Sequence, residues 1–274
     1  GLQRGHSAIT VRYLEHLESV DFTFCDTVEG FQWPADEQPH NYVDKLVNAR
    51  LQLLQYPPSP LCNDATFLRR LYLDLTGLLP PVPDVEKFLA DDAADKRSRW
   101  IDRVLDSDEF PRFQALRMAD LLRVNPKVLT DGRARLFADW LAQSIKANMP
   151  FDELVDQMLT STGDSKLVPQ TNYFAAIGTV QEVTEATAQL FMGSRIQCAK
   201  CHNHPFENWT QNDYYSLGAV FSHLKRDGGI IRPQQTNGMA NPRTGQTMKP
   251  WGTIRTEKTP QPIAAGNDAR QAFS

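Results

Sequence analysis

The sequence has no apolar run near the roughly 20 residues that a membrane span needs; stretches such as Ala175-Ala176-Ile177-Gly178 are among its longest. No membrane span is expected in this chain. It has no basic excess either. With 29 Lys and Arg against 33 Asp and Glu, the formal net charge is -4, which provides no electrostatic footprint for nucleic acid or an anionic membrane surface. A Gly-rich phosphate loop, H-E-x-x-H and G-x-S-x-G are all missing, so the usual signatures of phosphate binding, zinc proteolysis and serine hydrolysis do not apply. No basic n-region followed by an apolar h-region opens the chain, and any export signal is expected to lie outside it. Acidic pairs such as Asp91-Asp92 sit beside Ala and Lys in turn-like sequence and read as solvated loop ends.

Cysteine is scarce, and its placement is informative. Two of the four cysteines fall in Cys198-Ala199-Lys200-Cys201-His202. C-x-x-C-H is the pattern of covalent haem attachment in c-type cytochromes. Two thiols one short turn apart reach the two vinyl groups of one porphyrin while the next imidazole turns onto the iron. At this composition a chance match has a probability of about one in a thousand. The motif therefore predicts one haem c, with thioethers at Cys198 and Cys201 and His202 as the proximal iron ligand.

The second axial ligand decides between electron transfer and small-molecule binding. Met248, in the loop sequence Thr247-Met248-Lys249-Pro250, is the favoured distal candidate, and His223, at the end of a helix, is another. Met239 is also far enough along the chain to cross over, whereas Met192 reads as core beside Leu190 and Phe191. His204 lies too close to His202 to reach the opposite porphyrin face; it is expected to contact a propionate, a backbone group or a second cofactor. Phe206, Trp209, Tyr214, Tyr215 and Phe221 follow the motif as an aromatic cluster that would wall a haem edge or pack as ordinary core, with Trp209, Tyr214 and Tyr215 the chief wall candidates.

Three readings of the site stay open. The first is a single-electron carrier. The second is a haem enzyme or gas-binding domain with an open distal position. The third is a non-haem scaffold in which Cys198, Cys201, His204 and one further ligand hold zinc, or in which the cysteines pair as a disulfide. A thioredoxin-like dithiol would sit beside a βαβ pattern, and this neighbourhood is helical. Cys25 and Cys62 stand apart in loop-like sequence, either paired with each other or as separate thiols.

Hydrophobic periodicity predicts a mainly α protein: an irregular multi-helix bundle with a short N-terminal β-ribbon and an irregular C-terminal tail. Over residues 8–24, Val20, Phe22 and Phe24 alternate with Asp21 and Thr23, as in a strand with one buried face. From residue 42 the period becomes helical. Phe67, Leu68, Leu71, Tyr72 and Leu75 share a face after an Asp64 cap, and Gly77 ends that helix. Trp100, Ile101, Val104 and Leu105 form a second stripe; Leu136, Phe137, Trp140, Leu141 and Ile145 form a third. Further helices are expected over 113–124, from Pro150, over 182–192 and over 212–224. The resulting division is a ribbon at 1–30, a linker at 31–40, a helical domain at 41–229 and a tail at 230–274 that either covers a pocket or drapes the surface.

Several stretches carry a family resemblance. They are Asn41-Tyr42-Val43-Asp44, Ala65-Thr66-Phe67-Leu68-Arg69-Arg70-Leu71-Tyr72-Leu73-Asp74-Leu75-Thr76-Gly77, Asn148-Met149-Pro150-Phe151-Asp152, and Gln189-Leu190-Phe191-Met192-Gly193 leading into Cys198 and on through His202-Asn203-His204-Pro205-Phe206-Glu207-Asn208-Trp209-Thr210-Gln211-Asn212-Asp213-Tyr214-Tyr215. At these residues, roughly 40 to 225, the chain resembles the planctomycete cytochrome-c-like domain family, a domain of unknown function from large secreted multidomain proteins. The resemblance implies a periplasmic or secreted helical domain placed after an immunoglobulin-like module, whose last two strands residues 5–25 look like. It further implies that Asn241-Pro242-Arg243-Thr244-Gly245 opens a linker to a second domain. Expected partners are a redox protein or neighbouring domains of the same large protein. The segment from Phe206 to Tyr215 is longer than haem attachment requires, which leaves room for a binding role around His202 and His204.

Overall fold

The structure is a computed structural model and describes residues 4–13, 16–25, 27–35, 37–234, 238–250 and 268–273. The chain divides into two compact units, Gly1–Asp64 and Ala65–Ser274. The stretch 31–40, expected to separate domains, lies within the first unit.

In that unit β1 (Gly5–Tyr13) and β2 (His16–Phe24) pair antiparallel, from Gly5 opposite Phe24 to Tyr13 opposite His16. Because strand side chains alternate, Ile9, Val11, Tyr13, Val20, Phe22 and Phe24 share one face. Burial of that face was expected, yet Ile9 is 55% exposed and Tyr13 72%. Two strands have no second layer of their own to cover them. The ribbon is joined to α1 (Tyr42–Leu53) by polar contacts: Arg50 Nη1 donates to Thr23 Oγ1 at 3.0 Å, and Arg4 Nη1 donates to the carbonyl of Gln55 at 2.9 Å. Cys25 and Cys62 are not joined in a disulfide, and Cys25 Sγ donates to Leu53 O at 3.1 Å.

The second unit begins with α2 (Asp64–Thr76), α3 (Val82–Leu89) and α4 (Lys96–Leu105). They enclose a small core of Leu68, Leu71, Tyr72, Phe88, Trp100 and Val104. Of the predicted α4 stripe only Trp100 and Val104 are buried, while Ile101 and Leu105 sit at its exposed margin. Gly77 ends α2 with φ +70, and a Cβ there would run into the Phe113 ring.

The larger core is built by α5 (Glu109–Leu121), α7 (Asp131–Lys146), α8 (Phe151–Thr160), α9 (Asn172–Ala176), α10 (Val180–Phe191) and α11 (Gln211–Ser222), with the short α6 (Pro126–Leu129) against α7 and α9. Phe137, Leu141, Met158, Tyr173, Phe174, Val183, Val220 and Phe221 are its centre. The expected helix over 113–124 starts earlier, because Pro111 falls in the first turn of α5, where a missing N–H costs nothing.

Short strands complete the unit. β3 (Gly163–Asp164), β4 (Leu224–Asp227) and β5 (Ile230–Pro233) form a sheet in the order β3-β5-β4, and β6 (Met239–Ala240) pairs with β7 (Thr247–Met248). The strands described in the tail are thus short, but they are paired. Asn241 to Gln246, part of which was read as a linker opening, is the turn of the β6-β7 hairpin, closed by Asn241 N donating to Gln246 O at 2.9 Å. Residues 251–267 of the predicted tail lie outside the described residues. Beyond them α12 (Ala269–Phe273) enters the larger core, where Phe273 meets Phe221 edge-on at 5.9 Å. No helix among the described residues is long and apolar enough to cross a membrane.

Candidate functional site

The C-x-x-C-H motif is positioned by the end of α10 and the start of α11. α10 begins with a capping box between Thr179 and Glu182 and ends at Gly193, whose φ of +66 turns the chain. A 3-10 turn over Gln197–Lys200 follows. In a 3-10 helix residues i and i+3 eclipse one another. Ile196 and Ala199, both 0% exposed, therefore face the core, while Cys198 and Cys201 both face solvent as free thiols. The two-residue spacing between the cysteines is what places them on one side.

Backbone and side-chain bonds hold the motif from behind. The carbonyl of Cys198 accepts the N–H groups of Cys201 and His202, each at 3.3 Å. Gln211 Nε2 and Tyr215 Oη both donate to Lys200 O, at 3.0 and 3.2 Å, and Gln211 N donates to Asn203 Oδ1 at 3.1 Å. α11 starts with its own capping box, Thr210 with Asp213. Ala188, Ile196, Ala199, Trp209, Tyr214, Tyr215 and Leu217 make one apolar cluster beneath this framework.

Trp209, Tyr214 and Tyr215 are therefore part of the packing under the motif. Tyr214 is fully buried and donates to Glu185 Oε1 at 2.8 Å. Burial, followed by the Glu185 hydrogen bond and charge and then Tyr215 and Cys201, holds its phenol well above the ordinary range. Tyr215 is raised more modestly, again by burial first and Cys201 second. Phe206 separates from this group: it is 68% exposed at the tip of the following loop.

The two histidines differ in tautomer. His202 Nδ1 lies 2.8 Å from Asn203 O. A carbonyl only accepts, so Nδ1 carries the proton and Nε2 of the neutral ring keeps its lone pair. His204 is the reverse: its Nδ1 accepts the N–H groups of Phe206 and Glu207 at 3.2 and 2.9 Å, which places its proton on Nε2. Its backbone N–H donates to Trp209 O at 2.7 Å and closes the loop. A metal at His204 Nε2 would have to displace that proton. Among the described residues no group of three or more His, Cys, Asp or Glu gathers as a metal cage.

The distal candidates part ways. Met248 pairs across the hairpin with Met239, and both, with Met192, pack against the cluster beneath the motif. Met239 approaches α11 so closely that a Cβ on Gly218 would stand 2.5 Å from its sulfur. His223 caps the other end of α11, about 18 Å from its first residue at 1.5 Å per residue. There its Nε2 is buried without a hydrogen-bond partner. α11 thus carries His223 away from the motif. A cavity of about 700 Å³ between α5 and α7, lined by residues such as Leu116, Ala119 and Arg135, contains none of the predicted site residues.

Sequence reasoning missed Gln211, Asn203 and Glu185. The Thr210-x-x-Asp213 capping box was a usable signal for where α11 starts, and hence for Gln211; the tyrosine–glutamate pair had none, being a contact between two helices.

The family model PSCyt2, described as "Protein of unknown function (DUF1549)", matches residues 42–226, close to the span over which the resemblance was drawn. No curated protein and no solved structure matches the chain.

Proposed function

This chain belongs to the PSCyt2 family of unknown function, and from that premise we propose that it is a c-type haem domain for single-electron transfer, with thioethers at Cys198 and Cys201 and His202 on the iron. The observation that carries this reading is the His202 tautomer. With Nδ1–H committed to Asn203 O, Nε2 is a ready iron donor directly after two exposed thiols. Two exposed thiols at this spacing and one imidazole with Nε2 unengaged fit the group. When attached, haem would supply a one-electron couple. The chain's own residues hold the thiols on one side of a short turn, fix the imidazole's tautomer and support both through Gln211 and Tyr215.

Met248 stays the distal candidate in this reading, though it would have to leave its packing on the cluster beneath the motif to reach the group; the partners are a redox protein or neighbouring domains. Covalent attachment depends on export-linked maturation, so a periplasmic or secreted location belongs to the same proposal. The zinc alternative has less support, since His204 holds its proton on Nε2.

The test is a reduced pyridine haemochrome spectrum on protein made with a cytochrome c maturation system, after denaturing electrophoresis. A c-type band that stays with the polypeptide, and is lost in a Cys198→Ala, Cys201→Ala variant, is expected. Absence of the band under competent maturation would overturn the proposal.

A further inference from the structure

Resting on the haem reading, we infer that His204 is a positioning residue that donates a hydrogen bond from Nε2 to a carboxylate of the group held at Cys198 and Cys201, with Phe206 as its apolar contact. Four observations carry this. Both N–H groups that meet His204 Nδ1 come from the backbone, so the tautomer is set by the loop itself. The His204 N–H to Trp209 O bond anchors that loop to the buried cluster. No acceptor among the described residues meets His204 Nε2, and that atom is not buried, so its proton is free for a ligand. Phe206 packs against the His204 ring edge-on at 6.4 Å and is 68% exposed, whereas Trp209, Tyr214 and Tyr215 already spend their faces on the core.

The two histidines thus present opposite chemistry within three residues. His202 offers a lone pair to a cation and His204 a proton to an anion. A ligand that satisfies both is a flat apolar body with a metal at its centre and carboxylates at its margin. Nothing in an iron-only or zinc-only site would use the His204 proton or the Phe206 face.

The probe is non-covalent binding of haem and of haem dimethyl ester to the Cys198→Ala, Cys201→Ala chain, followed by Soret titration. His204→Asn is the informative substitution, because Asn Oδ1 can accept the same two backbone N–H groups as an Asx turn while the distant donor is lost. It is expected to weaken haem binding about tenfold, in line with one hydrogen bond to a charged group, and to leave the ester unchanged. Phe206→Ala, at an exposed position that folding tolerates, is expected to weaken both ligands alike. Equal effects of His204→Asn on haem and ester, or none on either, would overturn the inference while leaving haem binding intact. If neither ligand binds the Cys198→Ala, Cys201→Ala chain while the unmutated chain carries a covalent c-type band after maturation, this inference alone falls; if that band is also absent, the haem reading falls and takes this inference with it. Nitrogen-15 spectra of the ligand-free protein give an independent check: His204 must show a protonated Nε2 and His202 a protonated Nδ1.

Discussion

The two ends of α11 do different work with different forces. At its N-terminal end Gln211 and Tyr215 hold the motif loop by hydrogen bonds, and the residues they present, Cys198, Cys201 and His202, face solvent. At its C-terminal end Val220 and Phe221 are fully buried and Phe273 closes over them, while Arg270, 0% exposed, donates to Leu159 O at 3.0 Å and Ser161 O at 2.8 Å. Dry packing concentrates stability at one end. Directional bonds concentrate placement at the other, where the side chains of the motif stay exposed.

Phe221→Ala is the heaviest blow to this division, expected to cost about 3–5 kcal/mol by opening a cavity in the larger core. Denaturant unfolding measures it, and a cost below about 1 kcal/mol would show that the C-terminal end is not the stabilising one. Arg270→Met comes next, at about 3 kcal/mol, because it leaves Asp268 and the carbonyls at the end of α8 without their partner. Tyr215→Phe and Thr210→Ala, at the N-terminal end, are each expected to cost only about 1 kcal/mol. Their clearer readout is faster alkylation of Cys198 and Cys201 as the loop loosens.

The smallest effect is acid dependence at the start of α10. Glu182 has its carboxyl held below the usual range by the Thr179 backbone N–H and then the Thr179 hydroxyl. A depressed folded-state value means that the stabilisation is present at neutral pH and is lost as the pH falls through the acidic range. Glu182→Gln should flatten that part of the stability profile by a few tenths of a kcal/mol, an exposed-cap magnitude. A profile unchanged by the substitution would remove the capping box as its source.

The same contrast separates what the sequence made legible from what it hid. The turn that carries Cys198, Cys201 and His202 stood out in the sequence because rare residue types at a fixed spacing are visible without any tertiary partner. Helix positions were readable from apolar period: 182–192 was expected where α10 runs Val180–Phe191, and 212–224 where α11 runs Gln211–Ser222. The fate of Trp209, Tyr214 and Tyr215 was not, since an aromatic that walls a ligand and one that fills a core have the same local pattern. Arg270 was hidden for a stronger reason: Asn267-Asp268-Ala269-Arg270-Gln271 is polar sequence, and only the end of α8 and Phe174 make it interior. The tautomers of His202 and His204 depend on which backbone groups reach each ring, which no residue spacing records.

The carbonyl of Cys198, shared by two N–H groups, has a consequence for timing. The turn between the cysteines is closed by the chain's own bonds, as are the capping box of α11 and the loop through His204. A group joined to Cys198 and Cys201 in this folded state would meet a finished surface. The conformational entropy of residues 198 to 211 is lost when these bonds form, so its binding would not carry the cost of ordering a floppy segment.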